Sequence, residues 1–331
     1  MKAAVERWLL QRWYGGQVPG IGLRLLAGIH HLGLKSRAAL SPRRVAGRQR
    51  LSVPVIVVGN FTAGGTGKTP LVIALAEHLK QRNYRPGIVS RGYGRQSREP
   101  VRVGPGTPAT QCGDEPKLMF ERTGVPVAVD RDRLAAANAL IADGCDLILA
   151  DDGLQHANLP RDIEIEVLDG ERRYGNGLLI PAGPLRETPR PVDLRVVNGG
   201  EAMAGECGMR LQLADAVGVD GGERRPLLAF LDAPVDAIAG IGNPARFFAA
   251  LRALGLSVRE HAFGDHHRYR PEDFIDLKGP LLMTEKDAVK CRGLGLRDAW
   301  TVPVQAELPV DFFRVLDQKL DRLRQDRSPH D

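Results

Sequence analysis

The chain has 331 residues, of which 43% are hydrophobic and 26% are charged. This composition is typical of a soluble globular protein of about two domains, and it excludes a disordered chain, a collagen and a coiled coil. The four cysteines form no C-x-x-C pair, so we expect reduced thiols and neither a zinc knuckle nor a redox motif. No uncharged apolar run reaches the ~18 residues of a membrane span, and we expect no secretory signal.

The positive charge is concentrated near the N-terminus. Residues 1–50 contain ten basic residues and one acidic residue, whereas the rest of the chain carries a net charge of −3. Apolar residues of this segment follow helical spacing in two groups: Val5, Trp8, Leu9 and Trp13, then Ile21, Leu25, Ile29 and Leu32. An apolar stripe with tryptophan and basic neighbours is typical of a helix lying in an anionic membrane interface. A helix packed on the protein, with a solvated basic face, is the equally weighted alternative.

Nucleic-acid binding is disfavoured for the same segment. Aromatic residues make up only 5% of the chain, and no known nucleic-acid reader motif is present. The basic segment therefore predicts a membrane surface rather than DNA or RNA.

A phosphate-binding loop follows the first predicted strand. Residues 53–58 form a β-branched run that predicts a strand buried on both faces, and Pro70 opens a helical pattern. Glycines between them let backbone N–H groups close on phosphate oxygens at a helix N-terminus. Lys68 is expected to reach the β- and γ-phosphates, and Thr69 to bind Mg²⁺. The predicted nucleotide-binding residues are Thr62, Ala63, Gly64, Gly65, Thr66, Gly67, Lys68 and Thr69, with Thr62 standing where the usual pattern has glycine.

A second predicted strand, residues 147–150, ends in Asp151 and Asp152. Ligands bind at the carboxyl ends of strands in open α/β sheets, so one of these carboxylates is expected to hold Mg²⁺. A simple turn after a strand is the alternative. The N-K-x-D motif of a GTPase is absent, since residues 284–287 carry T-E-K-D in the wrong order. The sequence therefore favours ATP.

Two polar clusters have open interpretations from spacing alone. Arg91 and Arg95 lie on a glycine-containing turn, where they suit an anionic group or are simply solvated. Asp114 precedes a short predicted helix, and its position favours a helix N-cap. A role as the base that accepts a proton from a hydroxyl is the less favoured reading.

Three further clusters follow along the chain. His156, after Gln155, is expected near the phosphates or in the packing of its loop. The glycine- and proline-rich loop 175–187 ends in Arg186 and Glu187 and is either functional or a plain surface loop. For the D-H-H run at 265–267, spacing favours a loop histidine over a base-orienting one. Adjacent side chains there point in different directions, so a three-ligand metal site is not expected.

The pattern of elements restarts after residue 205. Strands at 235–241, 257–263 and 280–283, with helices from Asn243 and Pro271, predict a second, smaller α/β unit. We therefore expect a basic amphipathic segment (1–45), a P-loop α/β/α domain (46–208), a smaller α/β/α domain (209–305) and a C-terminal helix (306–331) that returns to the first domain. Residues 209–213 and 301–305 are predicted to pair as a two-stranded hinge, which suits a kinase that closes over its nucleotide.

Taken together, the motifs resemble one family, the tetraacyldisaccharide 4′-kinases of lipid A biosynthesis. The matching stretches are V-V-G-N-F-T-A-G-G-T-G-K-T-P (57–70), S-R-G-Y-G-R (90–95), G-D-E-P (113–116), D-D-G-L-Q-H (151–156), P-A-G-P-L-R-E (181–187), G-I-G-N-P (240–244), D-H (265–266) and T-E-K-D-A-V (284–289). They span residues 50 to 290, and Thr62 in the loop is typical of this family.

The resemblance implies that the chain transfers the γ-phosphate of ATP to the 4′-hydroxyl of an acylated glucosamine disaccharide 1-phosphate, forming lipid IV-A. It implies peripheral attachment to the cytoplasmic face of the bacterial inner membrane, and no obligate protein partner. By motif, Asp114 would be the general base paired with His266, and Lys68 would hold the transferring phosphate. The implied metal site comprises Thr69, Asp151, Asp152 and Glu187, with Asp152 counted among the catalytic groups. The implied substrate contacts are Arg91, Tyr93, Arg95, His156 and Arg186.

A function of a different class is the alternative: a membrane-cycling P-loop ATPase switch of the partition type. The basic amphipathic start and the G-G-x-G-K-T loop both fit it. Such switches carry a lysine just before the double glycine, where this chain has Ala63.

Overall fold

The computed structural model describes residues 2–39, 50–156 and 158–327. Residues 40–49, which include part of the basic segment, lie outside the described residues. The chain forms two compact units. Unit 1 comprises Met1–Arg91, Val125–Arg210 and Glu307–Asp331, and unit 2 comprises Gly92–Gly124 and Leu211–Ala306.

Helices alternate with strands in parts of the chain, whereas residues 163–239 form strands with no α-helix between them. The helices are α1 (Lys2–Tyr14), α2 (Ile21–Ala39), α3 (Lys68–Gln81), α4 (Ala109–Cys112), α5 (Asp114–Thr123), α6 (Arg133–Ala142), α7 (Pro244–Ala253), α8 (Glu285–Cys291) and α9 (Val310–Arg327). The strands are β1 (Val55–Gly59), β2 (Pro86–Ser90), β3 (Val101–Val103), β4 (Val127–Val129), β5 (Leu147–Asp151), β6 (Ile163–Asp169), β7 (Leu194–Asn198), β8 (Cys207–Leu213), β9 (Ala216–Gly218), β10 (Arg224–Arg225), β11 (Val235–Ala239), β12 (Val258–Ala262), β13 (Leu281–Thr284), β14 (Ala299–Val302) and β15 (Val304–Glu307).

Unit 1 is built on a parallel sheet in which β1 lies between β5 and β6. Its strands run in the order β8-β7-β6-β1-β5-β2-β4. β1 and β5 are fully buried apolar runs, as expected for central parallel strands covered on both faces. The register pairs Val58 with Asp151, so the loop after β1 and the aspartate pair after β5 emerge at the same edge. The parallel α/β fold expected from the sequence is confirmed.

Unit 2 has its own smaller sheet, in the order β10-β9-β14-β13-β11-β12. β11 lies parallel to β12 and β13, and β13 lies parallel to β14, whereas β9 and β10 are antiparallel. Phe247, Phe248 and Leu251 of α7 are buried in a core with Trp300 of β14. This is the second α/β unit that the renewed strand–helix pattern indicated.

The structure divides the chain differently from the sequence at residues 92–124, which belong to unit 2 and not to the P-loop unit. Ion pairs explain this, because they hold α5 against α8. Arg122 lies 2.5 Å from Glu285, and Lys286 pairs with Glu115. These partners are far apart in the chain, so local patterns do not reveal them.

β8 and β15 are neighbouring strands, and the chain passes from one unit to the other within each of them. Thr301 and Val302, expected in the second of these strands, instead end β14 of the smaller sheet, and β15 begins only after Pro303. A hinge function of β8 and β15 stays a prediction.

The terminal helices belong to unit 1. His78 of α3 lies 2.9 Å from Asp317 of α9 and stacks on Phe313. α2 continues through Gly22, Gly28 and Gly33. Within the described ranges, no helix is both long and apolar enough to cross a bilayer.

Because β5 is buried on both faces, truncating it should destabilise unit 1. We expect Leu149→Ala to lower the free energy of unfolding by about 2–5 kcal/mol, through lost apolar contact and a residual cavity. Urea unfolding measures this change. The exposed Val310→Ala should stay within about 0.5 kcal/mol of the parent, and an equal effect of both substitutions would contradict the assignment of β5 as core.

Candidate active site

The loop between β1 and α3 has a backbone that only glycine accommodates at two points. Gly64 and Gly67 have φ of +109° and +94°, in the left-handed region. A Cβ on Gly67 would lie 2.6 Å from Nδ2 of Asn198, which itself donates a hydrogen bond to the Thr66 carbonyl at 3.0 Å. Asn198, at the end of β7, therefore packs against the loop and holds its backbone by a hydrogen bond. The sequence alone gave Asn198 no role.

Thr62 occupies the usual glycine position for a structural reason. It is buried and forms an isolated β-bridge with Leu185, so its backbone is extended and tolerates a side chain. Neighbouring hydrogen bonds continue this pairing, from Ala63 N–H to the Pro184 carbonyl and from Arg186 N–H to the Phe61 carbonyl, both at 2.7 Å. The 181–187 motif is thus packed alongside the start of the loop.

Lys68 is held in place by two oxygen atoms. Its Nζ donates to Oδ1 of Asn60 at 3.1 Å and lies 3.4 Å from Oδ1 of Asp152. Asn60 also donates from Nδ2 to the Gly64 carbonyl at 3.3 Å. One asparagine side chain therefore fixes both the ammonium group and the loop backbone. In the sequence Asn60 is one residue of a longer motif, and its neighbours Gly59 and Phe61 give no signal of this role.

Asp151 and Asp152 have different environments. Asp151 is buried and accepts a hydrogen bond from Ser90 Oγ at 3.1 Å. Asp152 is partly exposed, and Arg186 donates to its two carboxylate oxygens at 2.9 and 3.1 Å. Burial alone would raise the pKa of Asp152, but Lys68 and Arg186 outweigh it and hold that pKa well below its usual range. Asp152 is therefore an ionised carboxylate facing the loop.

Two further groups support this edge of the sheet. The buried guanidinium of Arg133 donates to the main-chain carbonyls of Asp151 and Asp152 at 3.3 and 3.0 Å, and burial lowers the pKa of Arg133. Gln155 donates to the Asn60 carbonyl at 3.0 Å and to Oε1 of Glu187 at 2.9 Å. Burial raises the pKa of Glu187, partly offset by Gln155. Sequence reasoning missed Arg133, since nothing in its neighbourhood marks it.

The loop fits a polyphosphate with a magnesium ion. Gly67 caps α3 without a side-chain hydrogen bond, and Cβ atoms built on Gly64 and Gly65 meet open space. The buried Thr66 hydroxyl has no hydrogen-bond partner among the described residues. N–H donors and a helix N-terminus facing open space suit phosphate oxygens. Among the described residues no three His, Cys, Asp or Glu side chains cluster as a metal cage.

Unit 2 brings together a carboxylate and an imidazole that are distant in sequence. Nδ1 of His266 lies 3.0 Å from Oδ2 of Asp114. The prediction that Asp114 caps its helix is wrong. Gly113 occupies the N-cap with φ +101°, and a Cβ there would lie 3.1 Å from the Gly92 backbone. The Asp114 side chain is thereby left to pair with His266.

The Asp114–His266 pair lines a cavity of about 410 Å³ within unit 2. The hydrogen bond to Asp114 raises the pKa of His266 above its ordinary value of 6.5, against the opposing effect of burial. His267 instead points to Asp273, at 3.0 Å, so the adjacent histidines do diverge. A carboxylate held by a histidine at a cavity wall is suited to accept a proton from a bound hydroxyl.

The remaining predicted residues have separate surroundings. Tyr93 is 70% exposed, with its ring 5.2 Å from that of His266. Arg95 donates to the Glu99 carbonyl at 2.8 Å and so braces its own loop. His156 lies 3.2 Å from the Arg131 carbonyl, and burial lowers the pKa of His156. Arg91 is exposed in unit 1.

A family model, curated relatives and a solved structure all match this chain to one protein family. The family model described as LpxK, tetraacyldisaccharide-1-P 4′-kinase, matches residues 20–321. The chain belongs to this family. A tetraacyldisaccharide 4′-kinase of Stenotrophomonas maltophilia is 50% identical over 326 residues, covering 94% of this chain and 96% of that protein. One of Xanthomonas euvesicatoria pv. vesicatoria is 49% identical, with 94% and 95% covered.

A solved structure supports family membership at the level of the fold. The crystal structure of an "apo" form LpxK from Aquifex aeolicus in complex with ATP has a TM-score of 0.73 and 27% identity. The match covers 89% of this chain and 97% of the Aquifex aeolicus chain. These comparisons give no support to the alternative of a partition-type ATPase switch.

The raised pKa of His266 makes part of the stability depend on pH. In the unfolded chain this histidine titrates near 6.5, so its bond to Asp114 contributes fully below that pH and is lost as pH rises through the higher folded pKa. We expect the difference in free energy of unfolding between the parent and His266→Gln to shrink over that window. Denaturant unfolding at several pH values measures it.

The control for this experiment is a double-mutant cycle with Asp114→Asn. In that background, introducing His266→Gln should no longer cause a pH-dependent change in the free energy of unfolding. If the effect of His266→Gln still depended on pH without the Asp114 carboxylate, the hydrogen bond to Asp114 would not be the cause of that dependence.

Proposed function

We propose that the chain is an ATP-dependent kinase that phosphorylates the 4′-hydroxyl of an acylated glucosamine disaccharide 1-phosphate, forming lipid IV-A. One observation carries the proposal. This chain, which belongs to the kinase family, has both a phosphate loop with Lys68 and Asp152 and a separate Asp114–His266 pair. The first set suits the nucleotide, and the second suits the acceptor hydroxyl.

The nucleotide would be bound by the loop from Thr62 to Thr69. N–H groups of the loop and of the first turn of α3 would donate to phosphate oxygens. Lys68 would contact the transferring phosphoryl group, since Asn60 already fixes its ammonium. Preorganised charge of this kind lowers the cost of reorganisation during transfer.

Thr69, Asp152 and Glu187 would hold a magnesium ion, with Asp151 behind them. The ion would neutralise charge on the phosphates. Asp152 is the stronger candidate for direct contact, because it is ionised and partly exposed whereas Asp151 is buried against Ser90. Its present partner Arg186 would then be released toward the phosphates or the substrate.

Asp114 would accept the proton of the 4′-hydroxyl as the new oxygen–phosphorus bond forms. His266 would orient the carboxylate through the 3.0 Å hydrogen bond, so that one oxygen faces the acceptor. Proton transfer is late in phosphoryl transfer, and positioning of the hydroxyl matters more than the strength of the base. Arg91, Tyr93, Arg95, His156 and Arg186 would contribute contacts to the anionic substrate, with Arg95 the weakest candidate because its guanidinium braces its own loop.

The membrane would be contacted through α1 and α2. Ile21, Leu25, Ile29 and Leu32 are each at least 65% exposed along α2, and Trp8 of α1 is 42% exposed. Such a contiguous apolar face, next to basic side chains, is suited to the interfacial region of an anionic leaflet. Peripheral attachment at the cytoplasmic face of the inner membrane would give access to both ATP and the lipid.

The decisive experiment is mass spectrometry of the lipid after incubation with ATP, Mg²⁺ and detergent-dispersed acylated disaccharide 1-phosphate. We expect a gain of one phosphoryl group, abolished in Lys68→Ala. Asp114→Ala should lower turnover by about 10²–10⁴-fold, the usual contribution of a general base, while ATP binding persists. An unmodified lipid with continuing ATP hydrolysis would overturn the kinase assignment, and equal loss of ATP binding in Asp114→Ala would overturn the base role.

Membrane attachment is tested separately by flotation with anionic vesicles. We expect Leu25→Glu with Ile29→Glu to weaken binding at least about tenfold, because burying each side chain in the interface is worth about 1.5–3 kcal/mol. The matched control is Leu228→Glu, which replaces an equally exposed leucine of unit 2. Similar losses in both variants, or none in either, would contradict a membrane face on α2.

A further inference from the structure

Asp114 has a second cationic neighbour, Lys290, which ends the T-E-K-D-A-V-K stretch (284–290) that begins at the end of β13 and continues in α8. Nζ of Lys290 lies 3.8 Å from Oδ2 of Asp114 and 2.9 Å from Oδ1 of Asp287. Its side chain is only 9% exposed. The ammonium group therefore lies between two carboxylates and lines the same cavity as Asp114 and His266.

Lys290 is fixed from behind by a fully buried anchor. Asp287 accepts hydrogen bonds at Oδ2 from the Gly240 N–H at 3.0 Å and from the Thr284 hydroxyl at 2.6 Å. The ring of Tyr269 covers the ammonium, with its centroid 5.1 Å from Nζ. Hydrogen bonds from Thr284 and Gly240 thus fix the orientation of the Asp287 carboxylate. That carboxylate in turn fixes the position of the Lys290 ammonium relative to Asp114.

The two cations beside Asp114 differ in kind. A histidine loses its charge within the physiological range, whereas a lysine ordinarily keeps its charge well above it. The Asp114 side chain is 13% exposed, so water screens its carboxylate only partly from a cation in contact with it. A fixed ammonium keeps a positive charge beside the carboxylate even when His266 is neutral.

We propose that Lys290 is a positioning residue for the phosphoryl-transfer reaction, which keeps a positive charge beside the Asp114 carboxylate and orients that carboxylate toward the acceptor hydroxyl. This inference rests on the kinase function proposed above. Asp287 acts with it as the anchor, so the T-E-K-D-A-V-K stretch serves the base rather than the nucleotide.

Other charged groups also surround Asp114 and set the background for a pH experiment. They are Glu115, Lys117 and Glu121 of α5, Lys286 and Asp287 of α8, Arg292 just after α8, and Asp265, His266 and Arg268 of the loop after β12. Within the described part of the chain, the ion pairs that reach the Asp114 carboxylate come from His266 and Lys290. Removing Lys290 therefore removes one of its two direct cationic contacts.

The test compares Lys290→Met, Lys290→Gln and Lys290→Arg in the lipid phosphorylation assay as a function of pH. We expect kcat at neutral pH to fall about tenfold or more in the uncharged variants, with KM for ATP and for the lipid changed less than about threefold. The acid limb of their kcat profile should move to higher pH. Lys290→Arg should recover most of the lost kcat and the parent's profile.

The control is Lys319→Met, which breaks a partly exposed ion pair with Asp193 in unit 1, outside the unit that contains Asp114. It should keep kcat within about threefold. Lys290→Gln, which retains donors toward Asp287, keeps the test usable where Lys290→Met does not fold.

Three outcomes would overturn the inference: an unchanged kcat profile in Lys290→Gln, a rise in lipid KM with unchanged kcat, or failure of Lys290→Arg to recover activity. The second would make Lys290 a substrate contact instead. The assay of the parent protein distinguishes failure of the Lys290 proposal from failure of the kinase proposal. A parent that forms no phosphorylated lipid would refute the kinase function itself.

Discussion

The parallel pairing of β1 with β5 is the constraint on which unit 1 depends. Apart from Asp151 at the end of β5, both strands are apolar runs that are stable only when covered on both faces, so they occupy the centre of the sheet. Their register places Val58 beside Asp151. As a result, a lysine at the start of α3 and a carboxylate after β5 lie 3.4 Å apart, although a long stretch of chain separates them. Burial of the strands thus creates the polar site at their ends.

Charge is distributed unevenly among the carboxylates at this edge. Asp152 carries its charge between Lys68 and Arg186, whereas Glu187 is buried beside an uncharged donor, Gln155, and the pKa of Glu187 is raised. A divalent cation near both would reduce this difference, since it would favour the charged form of Glu187 and compete with the cations on Asp152. The loop backbone is already set by Asn60 and Asn198. Ligand binding would therefore change ion pairs more than it changes the backbone.

Local patterns predicted much of unit 1, because a strand, a glycine loop and a helix that follow one another are governed by neighbouring residues. Local patterns failed where contacts between distant parts of the chain determine the role of a side chain. Asp114 has the sequence of an N-cap, yet the close packing of Gly113 against Gly92 gives the cap position to glycine. Only the family resemblance pointed to its pairing with His266. Asn60, Arg133 and Lys290 gain their roles from partners on other elements, so no spacing in the sequence could have revealed them.

The N-terminal helices present an apolar face and are also joined by hydrogen bonds to the 175–187 loop. Trp13 donates to the Pro181 carbonyl at 3.0 Å, and the Asn176 N–H donates to the Trp13 carbonyl at 2.9 Å. His30 of α2 lies 3.2 Å from the carbonyl of Arg186, the same residue whose guanidinium holds Asp152. A helix resting in a lipid interface would thus share hydrogen bonds with the segment that reaches the phosphate loop. Membrane contact and order in the 175–187 loop should therefore be coupled, because both depend on the same few main-chain carbonyls.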